Sequence, residues 1–314
     1  MQTLYIIGNG FDCYAHDMPT QYSDFRNYLV QRFPDYQKDY GGILSYTIAS
    51  DGAENYDMNE VVGAIIRTID ECSKPDWGDL EACLGENFLD VIAYENEWAF
   101  EVPRFDGDDD NIFHSVYDNE DISRSVIGAY EILKLLFTDW SQYELSRINY
   151  HNIRKLDKKP SFKKSLFLNF NYTRTLERVY GIGDARICHI HGDVGCEKED
   201  IYFGHGNDEE FACFTQYIGI EDAFSRLKYV LKKDTKSALE RNAVFFNKLS
   251  GINKIYSFGF SFSAVDMIYI EEIVKKLDPH KVRWYFNAYD WVNNRDYVET
   301  VKSLGFKVRK SKRW

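Results

Sequence analysis

The sequence predicts an α/β fold built on a mostly parallel sheet, with a large helical insertion after the first strand. Three observations predict it. A short apolar run at residues 4–7 ends at once in a glycine turn, Gly8-Asn9-Gly10. From residue 165 onward, short β-rich runs alternate with helical stretches, the rhythm of βαβ units. Between these regions, residues 20–158 carry helical spacing. A strand delivering a glycine turn, followed by βαβ units, is a Rossmann-like arrangement.

Residues 4–7 are apolar without alternation, the pattern of a strand buried on both faces. Alone this strand is too short to be stable, so it is expected to join the sheet of the second half. Pro19 opens a segment with Tyr22, Phe25, Tyr28, Leu29 and Phe33 at helical spacing. Helices follow at residues 61–69 and 80–92. An irregular acidic stretch at residues 106–110 reads as a surface insertion. Ile122, Val126, Tyr130, Leu133, Phe137 and Trp140 mark a long amphipathic pattern over residues 121–156, closed by Pro160. Strands are then expected at 165–170, 186–191, 200–203, 254–260 and 282–289. Helices are expected at 173–180, 222–232, 237–249, 264–277 and 294–304. With no repeat or low-complexity linker, one domain is expected over residues 1–314. Residues 20–158 would form a helical cap beside a nucleotide site, and residues 159–314 the remaining strands and helices.

The formal net charge of −12 disfavours general nucleic-acid binding, which rests on Lys and Arg contacts to phosphates. Lys307, Arg309, Lys310, Lys312 and Arg313 form a local basic patch, whose plain reading is a solvated tail beside a last strand. Aromatic residues reach 16%, which argues for a core or a groove lined with ring faces. The six cysteines include no CxxC pair and are expected to be reduced thiols of a cytoplasmic protein. No signal-peptide pattern precedes Gly8, and no apolar window reaches the roughly 18 residues of a membrane span. No membrane partner is expected.

Open parallel sheets bind ligands outside the carboxyl ends of their strands. The expected strand ends deliver Gly8-Asn9-Gly10-Phe11-Asp12, Asn169-Phe170-Asn171-Tyr172-Thr173, His189-Ile190-His191-Gly192-Asp193, Gly204-His205-Gly206-Asn207 and Gly259-Phe260-Ser261-Phe262-Ser263, with Asp266 one turn further. The turn at Gly8 lacks the third glycine of the dinucleotide fingerprint. It is either a plain tight turn or a set of backbone N–H groups that meets a pyrophosphate. Asn171 either caps the following helix or meets a ligand, and a buried pair with Asn169 is costly without partners. His191 is either a satisfied core histidine or a general base with a pKa near ~6.5. Cys188, His189, His191, Cys196 and His205 fit no structural-zinc spacing, so no structural zinc or other metal is expected.

Four blocks make the chain resemble the AbiH family of bacteriophage abortive-infection proteins. They are IIGNGFD with MPTQYSDF (Ile6–Asp12 and Met18–Phe25), WGDLE (Trp77–Glu81), NFNYT (Asn169–Thr173), and IHG, FGH and GFSFSAVD (Ile190–Gly192, Phe203–His205 and Gly259–Asp266). The set is in turn similar to sirtuin-like NAD-binding domains, with Gly8-Asn9-Gly10, Asn171, His191-Gly192 and Gly259-Phe260-Ser261 at the corresponding strand ends. The resemblance makes Asn171 and His191 the catalytic pair. It places Gly8, Asn9, Gly10, Phe11, Asp12, Asp24, Phe25, Asn169, Gly259, Ser261 and Asp266 around NAD, with Glu81 and His205 as further candidates. Asp12 and Asp266 would bind ribose hydroxyls or cap adjacent helices, and Glu81 would lie on a cap-helix surface. The zinc-binding cysteine pairs of deacetylating sirtuins are missing, so the implied activity is an NAD glycohydrolase rather than a deacetylase.

Cleavage of the nicotinamide–ribose bond passes through an oxocarbenium-like ribose, as glycoside hydrolysis does. It needs a held ribose, an oriented nucleophile and a base. The expected partners are NAD or a related nucleotide, a phage-derived trigger and a second copy of the chain. Residues 20–158, with their acidic loop, are expected to gate the activity. Two other classes stay open: a nucleotide-sensing protein that does not hydrolyse its ligand, and a metal-dependent nuclease using Asp12, Glu81 and Asp266.

Overall fold

The computed structural model describes residues 2–36, 42–102, 109–156, 162, 164–209 and 217–312. Residue contacts divide the chain into two units. The first comprises Met1–Gln21, Thr138–Tyr202 and Asp234–Trp314; the second comprises Tyr22–Phe137 and Phe203–Lys233.

The strands among the described residues are β1 (Gln2–Ile7), β2 (Tyr46–Ile48), β3 (Glu54–Tyr56), β4 (Ser165–Asn169), β5 (Ile187–His189), β6 (Ile252–Phe258), β7 (Arg283–Phe286) and β8 (Lys307–Lys310). Six of them form the sheet of the first unit in the order β5-β4-β1-β6-β7-β8, every pair parallel. Numbered by their sequence within that sheet, the strands run 3-2-1-4-5-6, the order of doubly wound dinucleotide-binding sheets. The direction of winding reverses between β1 and β6, which is where such sheets open a crevice.

Both faces of β1 are covered, as its unbroken apolar run requires. Leu4 and Ile6 join Leu166, Leu168, Ile255, Trp284 and Phe286 beneath Tyr269, Ile270 and Ile273 of the helix Met267–Lys276. The Trp284 indole N–H donates to Ser257 Oγ at 2.9 Å, so neither buried polar group is left unpaired. Tyr5 and Ile7 face the other way, against Phe11, Phe167, Leu176 and Ile182.

The second unit is mainly helical, with β2 and β3 as a small antiparallel hairpin. Its longest helix, Asp109–Asp139, continues at its end into the first unit. Asp57 caps the helix Met58–Cys72 by accepting N–H bonds from Asn59 and Glu60. Phe25 packs edge-on against Trp77 and Phe137, and Phe137 stacks on Phe203 with ring centroids 3.7 Å apart.

Several expectations are corrected. The helix expected after Pro19 is present as Tyr22–Arg32, but it is preceded by one that was not anticipated, Asn9–His16, which starts inside the glycine turn. The β2–β3 hairpin and the helix Ala288–Asn293 were not anticipated. Residues 80–92 form two helices that meet at Asn87. Residues 200–203 are not a strand. The chain passes there from the first unit to the second, with Ile201 and Phe203 buried, and Tyr202 N–H donates to the His191 carbonyl. Burial without ladder partners gave this run its strand-like composition. Cys72 and Cys83, expected as reduced thiols, are joined as a disulfide, their Cα atoms 5.7 Å apart. Residues 106–108 of the acidic stretch, Pro160, Cys213 and Arg313 lie outside the described residues.

At the winding reversal two glycine turns interlock. Gly8 N–H donates to the Phe258 carbonyl at 3.0 Å, and Gly10 N–H to the Gly259 carbonyl at 3.2 Å. A Cβ on Gly8 would lie 2.3 Å from the Gly259 oxygen, and one on Gly259 only 2.4 Å from Gly10 Cα. Gly259 also has φ +62°. We predict that Gly259→Ala lowers unfolding stability by roughly 3 kcal/mol or more, since left-handed strain and a backbone clash add. Gly181→Ala, at φ +68° with nothing within 4 Å of its Cβ, should cost only about 1 kcal/mol. Urea denaturation of the two variants measures the difference; equal losses would show that the interlock does not constrain the fold.

Candidate functional site at the carboxyl end of the sheet

The carboxyl ends of β1, β4 and β5 gather a buried polar cluster. Asp12, on the first turn of the helix after β1, is fully buried, and Thr173 Oγ1 donates to its Oδ2. Thr173 shares a 3.0 Å hydroxyl contact with Thr175. The other Asp12 oxygen, Oδ1, has no hydrogen-bond partner, and neither has Asn171 Oδ1. Burial pushes the Asp12 carboxyl up to about 6, against the downward pull of Thr173, Thr175, Asn171 and the His189 charge. Neither Asp12 nor Asn171 caps a helix, because the next helix starts only at Thr175 with Arg174 at its N-cap.

Asn169 and Asn171 support one another. Asn171 N–H donates to Asn169 Oδ1, and the Asn169 amide nitrogen lies 3.3 Å from His189 Nδ1. His189 Nε2 meets Glu177 Oε1 at 2.7 Å and lies 3.7 Å from Asp193 Oδ2. Burial disfavours the imidazolium, but Glu177 outweighs it and raises the His189 pKa, while Glu177 itself is held low. Glu177, His189 and Asp193 are the group among the described residues whose ligand atoms lie close enough together to hold a cation, within 4.8 Å. Arg174 Nε already sits 3.4 Å from Glu177 and 3.9 Å from Asp193.

His191 follows β5 and is buried, with Phe170 edge-on at 5.2 Å and Tyr269 at 5.7 Å. Its Nε2 lies 3.1 Å from Asp266 Oδ1, off the line of a hydrogen bond, while Ser263 Oγ donates to Asp266 Oδ2. Asp266 therefore faces the imidazole rather than capping a helix with its side chain. Gly192, at φ +84°, leaves room for the Asp200 carbonyl, 2.3 Å from where a Cβ would stand.

The remaining candidates fall elsewhere. Gly8 and Gly10 are buried against Gly259 and their N–H groups are already engaged, so the turn supplies closeness more than donors. Asn9 exchanges hydrogen bonds with Thr20, at 2.8 and 2.6 Å. Phe11 is a core ring beside His16 and Phe258, and Ser261 is exposed. Asp24, Phe25, Glu81 and His205 belong to the second unit. There Glu81 pairs with buried Lys233 at 2.7 Å, and His205 Nε2 contacts the Lys228 carbonyl. The sequence reading placed Thr173 and Asp193 at strand ends without giving them a role, and it missed Glu177 and Asp290 altogether. Asp290 accepts the Gly259 N–H at 3.2 Å and is held by Asn287 and Asn294. The Asn287-x-x-Asp290 spacing after an apolar strand is a capping signal that could have found it.

Because the Asp12 pKa is higher in the folded chain than in the unfolded one, its contribution favours folding below about pH 4. That contribution is lost as pH rises through about 6. Asp12→Asn should therefore raise stability at pH 8 by on the order of 2 kcal/mol and flatten the dependence between pH 4 and 6.5. Chemical denaturation across that range checks it; an unchanged slope would refute the assignment.

No curated protein matches the chain. The AbiH family, described as bacteriophage abortive infection, matches residues 4–288, which includes the whole second unit, the first unit from residue 4 to 288, and every strand end described above except the last. The four sequence blocks and this match agree, and the chain belongs to the AbiH family of bacteriophage abortive-infection proteins.

Proposed function

We propose that this abortive-infection protein binds NAD at the carboxyl end of its sheet, in the manner of sirtuin-like domains, and cleaves the nicotinamide–ribose bond. The observation that carries the proposal is the pair of buried, unpartnered acceptor oxygens, Asp12 Oδ1 and Asn171 Oδ1, beside the winding reversal of a 3-2-1-4-5-6 sheet. Buried acceptors without donors are costly, and sugar hydroxyls would supply the donors. On this reading the Asp12 carboxylate and the Asn171 amide hold the ribose. His191, on the neighbouring strand end, takes the proton from the attacking water, and the Asp266 carboxylate stabilises the imidazolium that forms. The tight Gly8–Gly259 contact brings β1 and β6 close enough for one small ligand to touch both strand ends. No described helix is long and apolar enough to cross a membrane, and the proposal takes the protein to act in the cytoplasm, where NAD is available.

Purified protein incubated with NAD should release nicotinamide, measured by chromatography. Asn171→Ala and His191→Gln should each lower the rate by roughly 100-fold or more, the scale of a lost general base or positioning group. Asp266→Asn should lower the rate, since the imidazolium that forms loses its counter-charge. NAD binding seen by calorimetry without any release would favour the nucleotide-sensing reading. Full phage defence by both the Asn171 and His191 variants would sink the proposal.

A further inference from the structure

The first unit carries a second surface that the proposed chemistry leaves unused. In the parallel register, Phe167, Tyr5, Tyr256, Tyr285 and Arg309 stand in one row across the sheet, all on the same face. Tyr5 stacks on Phe167 at 5.1 Å and on Tyr256 at 5.2 Å, and Tyr256 stacks on Tyr285 at 4.7 Å with ring planes 13° apart. Two residues nearer the amino ends, the next row carries Lys254, Arg283 and Lys307.

Over β4 and β1 this face is closed by Phe11, Leu176 and Ile182. Over β7 and β8 it is open. Tyr285 is only half-buried, Arg283, Lys307 and Arg309 are exposed, and a groove of about 410 Å³ runs along Tyr256, Tyr285 and the basic strand end. None of Arg283, Arg309, Lys310 and Lys312 has an ion-pair partner among the described residues. In a chain of net charge −12, an unneutralised cationic strip beside a ladder of rings is unusual.

We infer that this face binds single-stranded nucleic acid. Unpaired cations track a phosphate backbone, and the outer ring face of Tyr285, at the end of the stack and half-buried, offers a flat platform on which an unpaired base can lie; the two together are the chemistry of sequence-tolerant single-strand binding. A duplex hides its base faces inside the stack and would gain from the cations alone. The overall negative charge does not forbid the contact. At physiological salt a field decays over about 8 Å, so a ligand seated on the strip meets the local cations before the distant carboxylates.

The test uses the full-length protein with fluorescein-labelled 20-nucleotide poly(dT) and poly(U) and a 20-base-pair duplex, followed by fluorescence anisotropy. Single strands should bind more tightly than duplex. The affinity should fall with log salt at a slope of about −2 to −3, the release expected from three or four phosphate contacts. A difference between the two probes would tell RNA from DNA as the preferred source. The Arg283→Glu/Arg309→Glu double variant should lose at least about tenfold, Tyr285→Leu about tenfold, and Tyr285→Phe little, because the ring face is retained. Unfolding midpoints of the variants confirm that each is folded. Absence of binding at low salt, or equal affinity of wild type and the double variant, overturns the inference. So does duplex bound as tightly as single strands with Tyr285→Leu unaffected. Conversion of a wild-type dimer to monomer by the double variant, seen by sedimentation, would make this face an interface between copies and overturn it as well.

Discussion

The first unit depends on one close approach of backbone to backbone. At the winding reversal, Gly8 and Gly10 on one side and Gly259 on the other fit together with no room for a single Cβ between them. Two N–H···O=C bonds extend the β1–β6 ladder into the turns, and Asp290 holds the Gly259 N–H from behind. Everything at the carboxyl end of the sheet is positioned from this junction. The helix Asn9–His16 leaves it at a fixed angle and carries Asp12 into the buried cluster, while the turn after Gly259 carries Ser263 and Asp266 toward His191.

The junction also explains why polar groups are tolerated so deep. Asp12, Asn169, Asn171 and His191 are each at most 5% exposed, a placement that costs free energy unless partners or function compensate. Thr173, Glu177 and the asparagine pair supply part of the compensation. Unpartnered oxygens remain on Asp12, Asn171 and Glu177, and all are acceptors rather than donors, which is why a hydroxyl-bearing ligand suits them better than an anion. The Glu177–His189–Asp193 group has a different character: its charges are largely met by one another and by Arg174, so it stiffens the floor of the site.

Much of the fold was legible along the chain because the sheet strands are buried and short. An unbroken apolar run such as Leu4–Ile7 has few alternatives to a central parallel strand, and the alternation after residue 165 set the βαβ plan. Where the sequence reading failed, burial had other causes. Residues 201–203 are apolar because they cross between units, not because they pair. The helix Asn9–His16 hid behind Gly8 at its N-cap and Gly10 in its first turn; glycine is a poor helix former, yet both are required by the contact with Gly259. Residues 46–56 offered too few apolar positions to mark a hairpin.

The sequence by itself determined the family, the parallel α/β plan, and that Asp12, Asn171, His191 and Asp266 stand at strand ends, since these follow from local pattern and ordered motifs. Only the tertiary structure decided which of them meet. It set Asp12 against Thr173 and Asp266 against His191, engaged the glycine-turn amides with the neighbouring strand, and left the β7–β8 half of one sheet face open. The reason is physical. Motifs record which residue types the chain delivers to an end of the sheet, whereas hydrogen-bond partnership depends on strand order and register, and these form only when distant segments pair.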